Sequence, residues 1–283
     1  MRPDIAPVIR LSDYQPPDFL VSHVDLDISL HPTESRVRAT LTMQRNPGGF
    51  DGTPVVLEGD ELVLAGLLLD GKPLAEDRYT VAPDKLVLVN PPTRPFTLTI
   101  ETIVNPSANT KLMGLYRSNG VYCTQCEAEG FRRITYFPDR PDVMSVYRVR
   151  LEADRDEAPI LLANGNPGAA GVIEGGNRHF SVWNDPFPKP SYLFAVVGGN
   201  LGSVSDTYRT SSGNDVRLGI YVEKGKEDRA SYAMDALKRS MAWDEVVFGC
   251  EYDLDVFNIV AVSDFNMGAM ENKGLNVFND RYI

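Results

Sequence analysis

An alternation of apolar and polar residues with a period of two dominates the first two hundred positions, and it leaves little room for anything but sheet. Over residues 23–30, Val24, Leu26, Ile28 and Leu30 share one face while Asp25, Asp27 and Ser29 share the other. Residues 36–45 repeat the pattern with Val37, Ala39, Leu41 and Met43. Each such run puts one face on a core and one in water. Shorter runs at 55–58, 61–69, 85–89, 96–104, 114–117, 121–125, 145–153, 160–164 and 179–183 read the same way. The 23 glycines and 20 prolines are enough to punctuate them with turns, and Asp70-Gly71 and Asn119-Gly120 are the expected tight ones. The expectation is a mainly β region, a sandwich or saddle of mostly antiparallel sheets.

The pattern changes after about Gly199. Residues 216–223 still read as a strand, but 226–248 carry Ala230, Ala233, Met234, Leu237 and Met241 at spacings of three and four, with charged residues opposite. A strand over 255–262 follows, then an irregular loop through Lys273 and a strand over 275–278. The division this predicts is a β domain at 1–199 and an α/β region at 200–283. Roughly 80 residues with one long helix are marginal for an independent core, so the second region reads as truncated. No internal repeat or low-complexity tract interrupts either part.

Composition excludes some functions. Lys plus Arg number 28 and Asp plus Glu 39, a formal charge of −11, which argues against binding a phosphate backbone and so against nucleic acid. An acidic surface concentrates cationic ligands such as the ammonium ends of peptides, or serves solubility alone. The longest apolar stretch of the first region, 62–69, is far short of the roughly 20 residues a membrane span needs. The opening Met1-Arg2-Pro3-Asp4-Ile5-Ala6-Pro7 offers a charge without an apolar stretch behind it, unlike a secretory signal. Three cysteines suit a reducing compartment, and a cytoplasmic location is expected.

Few motifs carry chemistry. Cys123-Thr124-Gln125-Cys126 has the spacing of half a zinc site or a redox pair, but it lacks a second ligand pair and a helix N-terminus, and reads as two ordinary thiols. His23, His31 and His179 are too scattered to grip a metal from one helix face; the first two are expected to flank a strand and the third to begin one. No G-x-S-x-G, Walker loop or dinucleotide turn is present. The informative segment is Asn266-Met267-Gly268-Ala269-Met270-Glu271-Asn272-Lys273-Gly274. Its small residues would let a peptide backbone pair with Gly268-Ala269 as an added strand, with Glu271 meeting the peptide's ammonium. A plain loop between two strands, with Glu271 solvated and Met267 and Met270 filling a core, fits the residues equally.

Gly268-Ala269-Met270-Glu271-Asn272 resembles the G-A-M-E-N signature of the M1 family of zinc aminopeptidases, the gluzincins. The likeness extends through Tyr122-Cys123-Thr124-Gln125-Cys126-Glu127-Ala128-Glu129-Gly130-Phe131-Arg132-Arg133, Asp139-Arg140-Pro141-Asp142-Val143 and Asn184-Asp185-Pro186-Phe187-Pro188-Lys189-Pro190, with Ser191-Tyr192-Leu193-Phe194. It spans essentially the whole chain. The resemblance implies an N-terminal β domain joined near Gly199 to the first α/β part of a thermolysin-like catalytic domain. It implies a metallo-aminopeptidase of the membrane alanyl aminopeptidase type that removes N-terminal residues from peptides, acting as a cytoplasmic monomer. The family's H-E-x-x-H zinc motif follows the signature, and the sequence stops at Ile283 before it. Zinc ligands, general-base Glu and catalytic Tyr are therefore expected outside these residues, and the 283 residues alone are expected to be inactive and to bind no zinc. What the resemblance leaves here is a substrate subsite. Glu271 and Glu127 would bind the free α-amine, Gln125 and Met267 would line the first side-chain pocket, and Gly268, Ala269, Met270 and Asn272 would lie beside the peptide backbone. Met267 is expected to act as a deformable wall that admits basic and bulky apolar side chains. A non-catalytic binding or scaffold module of the same family is the alternative, and an epoxide hydrolase-like branch a more distant one.

Overall fold

The computed structural model describes residues 10–50 and 52–283; the opening segment 1–7 discussed above lies outside the described residues. The chain begins with β1 (Phe19–Ser29), β2 (Ser35–Arg45), β3 (Val55–Glu58), β4 (Val63–Leu69) and β5 (Lys72–Pro73). Next come β6 (Tyr79–Ala82), β7 (Lys85–Leu88), β8 (Phe96–Val104), β9 (Gly114–Ser118) and β10 (Val121–Gln125). β11 (Ser145–Asp154), β12 (Ile160–Ala163), β13 (Asn166–Val172), β14 (Arg178–Lys189) and β15 (Val196–Gly199) follow. These strands form an eight-stranded sheet in the order β13-β14-β11-β1-β2-β8-β4-β5, a four-stranded sheet β12-β15-β10-β9 and a three-stranded sheet β3-β7-β6. Nearly every pairing is antiparallel; β1 and β11 run parallel.

The alternation does what period two requires. Leu26, Ile28, Val37, Ala39, Leu41, Leu98 and Ile100 are all buried, while Asp25, Arg36 and Arg38 on the opposite face are exposed. Both anticipated tight turns form, with positive φ at Asp70 and Gly71 and at Asn119 and Gly120.

A fourth group of strands, with one helix, starts after Gly199: β16 (Leu201–Arg209), β17 (Asp215–Glu223), the helix α1 (Ala230–Phe248), β18 (Val256–Val262), β19 (Ala269–Met270) and β20 (Leu275–Asn279). Their order is β16-β17-β18-β20-β19, with β17, β18 and β20 parallel. This sheet is covered on both faces. Val216, Leu218, Ile220, Ile259 and Ala261 meet Met234, Leu237 and Met241 of α1, whereas Val256, Val260, Val262, Leu275, Val277 and Met270 join the apolar core of the preceding strands. Burial on both sides explains why β18 reads as an almost unbroken apolar run.

Several expectations need correction. The strand expected at 61–69 starts at Val63, because Glu61 has φ +56° and turns the chain into it. His23 lies inside β1 rather than at its end, since the strand begins four residues earlier. The helix starts at Ala230 after a 3-10 turn, Glu227–Arg229. Its outer face is not purely charged, for Tyr232, Trp243, Val246, Val247 and Phe248 are exposed. β5, β6, β13, β15 and β16 have no counterpart among the anticipated strands.

Candidate functional site

Two segments of the site hang from different sheets. Gln125 ends β10, and Glu127 sits in the turn that follows it, where the Gly130 N–H donates to the Cys126 carbonyl (2.8 Å). Glycine is required there, because a Cβ on Gly130 would stand 2.3 Å from the Gln125 carbonyl oxygen and 2.8 Å from Cys126 Cα. Gln125 is buried, its Nε2 donates to the Glu127 carbonyl at 3.4 Å, and its Oε1 accepts nothing. The Glu127–Ala128 peptide is cis.

The second segment is the loop from β18 to β20. Ala269 and Met270 pair with Phe278 and Val277, so what reads in sequence as irregular contains a two-residue strand at the edge of the five-stranded sheet. The Gly268 carbonyl continues this pairing by accepting the Asn279 N–H at 3.0 Å. Because β20 occupies one side of β19, the other side of Gly268-Ala269-Met270 is a sheet edge with no strand on it among the described residues. Met270 drives its side chain fully into the core and offers only backbone to that edge; Met267 is 44% exposed. A Cβ on Gly268 would meet the Tyr282 ring at 3.5 Å, an ordinary contact, so the fold itself does not demand glycine there. Asn272 is buried, with its Oδ1 unpaired and its Nδ2 reaching toward the Met270 carbonyl (3.5 Å).

Hydrogen bonds tie this loop to the sheet that carries Gln125. Tyr116 of β9 donates its hydroxyl to the Asp264 carbonyl (2.9 Å), and Ser118 accepts the Asp264 N–H and donates to the Asp264 carboxylate (2.9 and 3.1 Å). Asn266 donates to the Lys111 carbonyl at 3.0 Å. At the far end, buried Asn164 donates to the carbonyls of Lys273 (2.9 Å) and Leu193 (3.0 Å) and accepts the Ala195 N–H (2.6 Å). Tyr116 pairs with Cys123, and Gly114 with Gln125, so the loop is fastened to the strand adjoining β10. Glu271 is exposed and Glu127 half-buried, and no ion pair among the described residues engages either carboxylate. An exposed carboxylate without a cationic partner, one residue beyond an open strand edge, can receive an ammonium while the edge pairs with the backbone behind it.

Residues 21–193 match the Peptidase M1 N-terminal domain, and residues 232–283 match the Peptidase family M1 domain. The chain belongs to peptidase family M1. It is 54% identical to Aminopeptidase N of Caulobacter vibrioides over 283 residues, which are all of this chain and 32% of that protein. It is 47% identical to Aminopeptidase N of Escherichia coli over 271 residues, 96% of this chain and 30% of the relative. The crystal structure of Legionella pneumophila aminopeptidase A in complex with aspartic acid superposes with a TM-score of 0.91 at 36% identity, covering 96% of this chain and 32% of that one. The chain therefore spans about a third of the length of these M1 relatives.

Among the described residues, the side chains of this M1 chain offer no ligand set for a zinc ion. No three of its His, Cys, Asp or Glu side chains converge among the described residues. His31 Nδ1 caps the N–H groups of Thr33 and Glu34, and His179 Nε2 bonds the Ala158 carbonyl, so both histidines have structural work. Burial pushes the Cys123 thiol up to about 12 and the Cys126 thiol well above its ordinary value, so neither is a thiolate ready to bind metal or exchange disulfides. Among the described residues no helix is long and apolar enough to cross a membrane.

Sequence reasoning missed the residues that hold the site in place. Asn164, Tyr116 and Ser118 sit in or beside short strands with nothing in their local pattern to mark them. The nearest signals are turn residues, Gly165 directly after Asn164 and Asn119-Gly120 directly after Ser118.

Proposed function

We propose that this chain supplies the substrate-amine end of an aminopeptidase, contributed by a β domain at 1–199 and the opening of a thermolysin-like domain at 200–283. A peptide with a free N-terminus adds as a strand to the open edge at Gly268-Ala269-Met270, alongside Asn272. Glu271 and Glu127 receive its α-ammonium, and Gln125 and Met267 bound its first side chain. The observation that carries this reading is the unpaired edge of β19, with an exposed, unpartnered carboxylate one residue beyond it.

Fixing the ammonium makes the site a ruler. A peptide registered by its charged end presents its first peptide bond at one set distance from the site, and internal bonds have no such charge to be held by. Hydrolysis itself is assigned to zinc, which polarises the scissile carbonyl when bound. Its ligands belong to parts of the longer polypeptide other than these residues, so the 283 residues alone hydrolyse nothing. The enzyme is proposed to act as a monomer in the cytoplasm.

The test compares this chain with the longer polypeptide, using an aminoacyl p-nitroanilide and its N-acetylated counterpart. Zinc-dependent release from the free-amine substrate alone, by the longer polypeptide alone, is expected. Equal cleavage of both substrates would refute the amine ruler, and a zinc-free, inactive longer polypeptide would leave a binding module instead.

A further inference from the structure

The segment Asn184–Pro190 has no part in the amine site as described, yet it contains a deeply buried ion pair. Asp185 and Lys189 have side chains 0% and 4% exposed and form an ion pair at 3.0 Å. The Lys189 ammonium also lies 3.6 Å over the Tyr147 ring. Burial pulls the lysine down to about 8 despite the opposing influence of Asp185. A pair buried this deeply contributes little to stability compared with apolar residues of the same volume, so its value lies in the geometry it fixes.

That geometry is a bulge. β11 and β14 are in register at Ser145 with Lys189 and at Tyr147 with Asp185, so Pro186, Phe187 and Pro188 stand opposite a single residue. Asp185 closes the neck twice, pairing with Lys189 and accepting the Phe187 N–H at 3.4 Å. The flanking prolines have no N–H of their own and a fixed φ, which stiffens the arch. At its apex the Phe187 ring lies 4.0 Å from the Lys273 ammonium, which is also paired to Asp253 at 2.7 Å. The Lys273 carbonyl is held by Asn164. Lys273 is thus fixed at both its side chain and its backbone, two residues beyond Glu271.

We propose that Phe187 and Lys273 are positioning residues for Glu271: the pinched bulge braces Lys273 and so presents the Glu271 carboxylate in the orientation that meets a substrate ammonium. The inference rests on the amine-site reading above. With Glu271 exposed and unpartnered, the backbone on either side is what fixes the point from which its carboxylate reaches. β19 holds one side through Met270 and Val277, and the Lys273 brace holds the other. Loosening the brace lets the carboxylate sample directions that do not meet the amine, which weakens amine binding without removing the charge.

The test uses the longer polypeptide and two inhibitors, an amino-acid hydroxamate and the same hydroxamate lacking its α-amine. Phe187→Leu and Lys273→Met are expected to weaken the amine-bearing inhibitor by roughly threefold to tenfold, the range a lost cation–π contact allows, and to leave the des-amino inhibitor within about twofold. Phe187→Tyr and Lys273→Arg, which keep ring and cation, are expected to restore binding. Equal losses for both inhibitors would mark a merely structural role and overturn the proposal, as would unchanged binding of both. Glu271→Gln separates the two levels of inference. If it loses the amine-bearing inhibitor while the Phe187 and Lys273 variants do not, the brace alone is refuted. If Glu271→Gln binds both inhibitors normally, the amine site falls and the brace with it.

Discussion

Truncating Glu271 is the sharpest test of the site, because the structure separates its effect on binding from any effect on folding. Glu271 is exposed and has no ion-pair partner among the described residues, so Glu271→Ala should leave the unfolding midpoint within the range of an ordinary surface substitution, about 0.5 kcal/mol. An ammonium about 4 Å from a carboxylate gains roughly 4 kcal/mol at an effective dielectric near 20, and desolvation removes part of that. Losing one member of a close charge pair accordingly costs about 2 to 5 kcal/mol in kcat/KM, or about 30- to 5,000-fold. The assay is steady-state hydrolysis of an alanyl p-nitroanilide by the longer polypeptide, with thermal unfolding measured on the same preparation. Near-native kcat/KM in a folded variant would refute the role given to this carboxylate. A large loss accompanied by a collapsed midpoint would show instead that the exposed-carboxylate description is wrong.

Met267→Val or Met267→Ile should narrow the substrate profile across a panel of aminoacyl anilides, because a branched side chain cannot reshape itself as a thioether does; an unchanged profile would count against the deformable wall. Asn164→Leu strips partners from the Ala195 N–H and the carbonyls of Leu193 and Lys273, and should lower stability by about 3 kcal/mol, read from the shift of the urea midpoint. Of the three cysteines, only exposed Cys250 should react rapidly with a thiol reagent at pH 8, with Cys123 and Cys126 labelling only after denaturation. The native Cys123 thiol keeps its proton to about pH 12, whereas an unfolded thiol loses it near pH 8.5. Its stabilising contribution is therefore complete below about pH 8.5 and fades as pH rises toward 12, so Cys123→Ala should show a shallower alkaline loss of stability than the parent, by up to about 1.4 kcal/mol per pH unit. Parallel slopes would contradict this.

Two of the strands that could be read in the sequence have partners on both sides and faces that differ in environment. β2 and β8 are central in the eight-stranded sheet and alternate cleanly; β8 falls where it is expected and β2 starts within one residue of the expected position. β13, Asn166–Val172, has no readable pattern because it is an edge strand of Pro167, Gly168 and Gly171 whose pairing is supplied by β14. β16 fails for a related reason, since most of its residues are exposed or half-buried and its register comes from β17. Within the site, Gln125, Glu127 and the 267–272 run stand out in the sequence through their likeness to a family signature. Their local residues fit a plain loop as well.

The chain's own alphabet determined the period-two strands, the helix stripe from Ala230 to Met241, and the chemical character of the 267–272 loop, because side-chain patterning and backbone preference act between near neighbours. Tertiary structure alone decided that Gly268-Ala269-Met270 forms an open sheet edge, that Met270 faces inward while Met267 faces out, and that Asn164, Phe187 and Lys273 brace the loop. Those relations join residues as much as 109 positions apart. Distant hydrogen bonds and a buried ion pair set them, and such contacts leave no periodic trace along the chain.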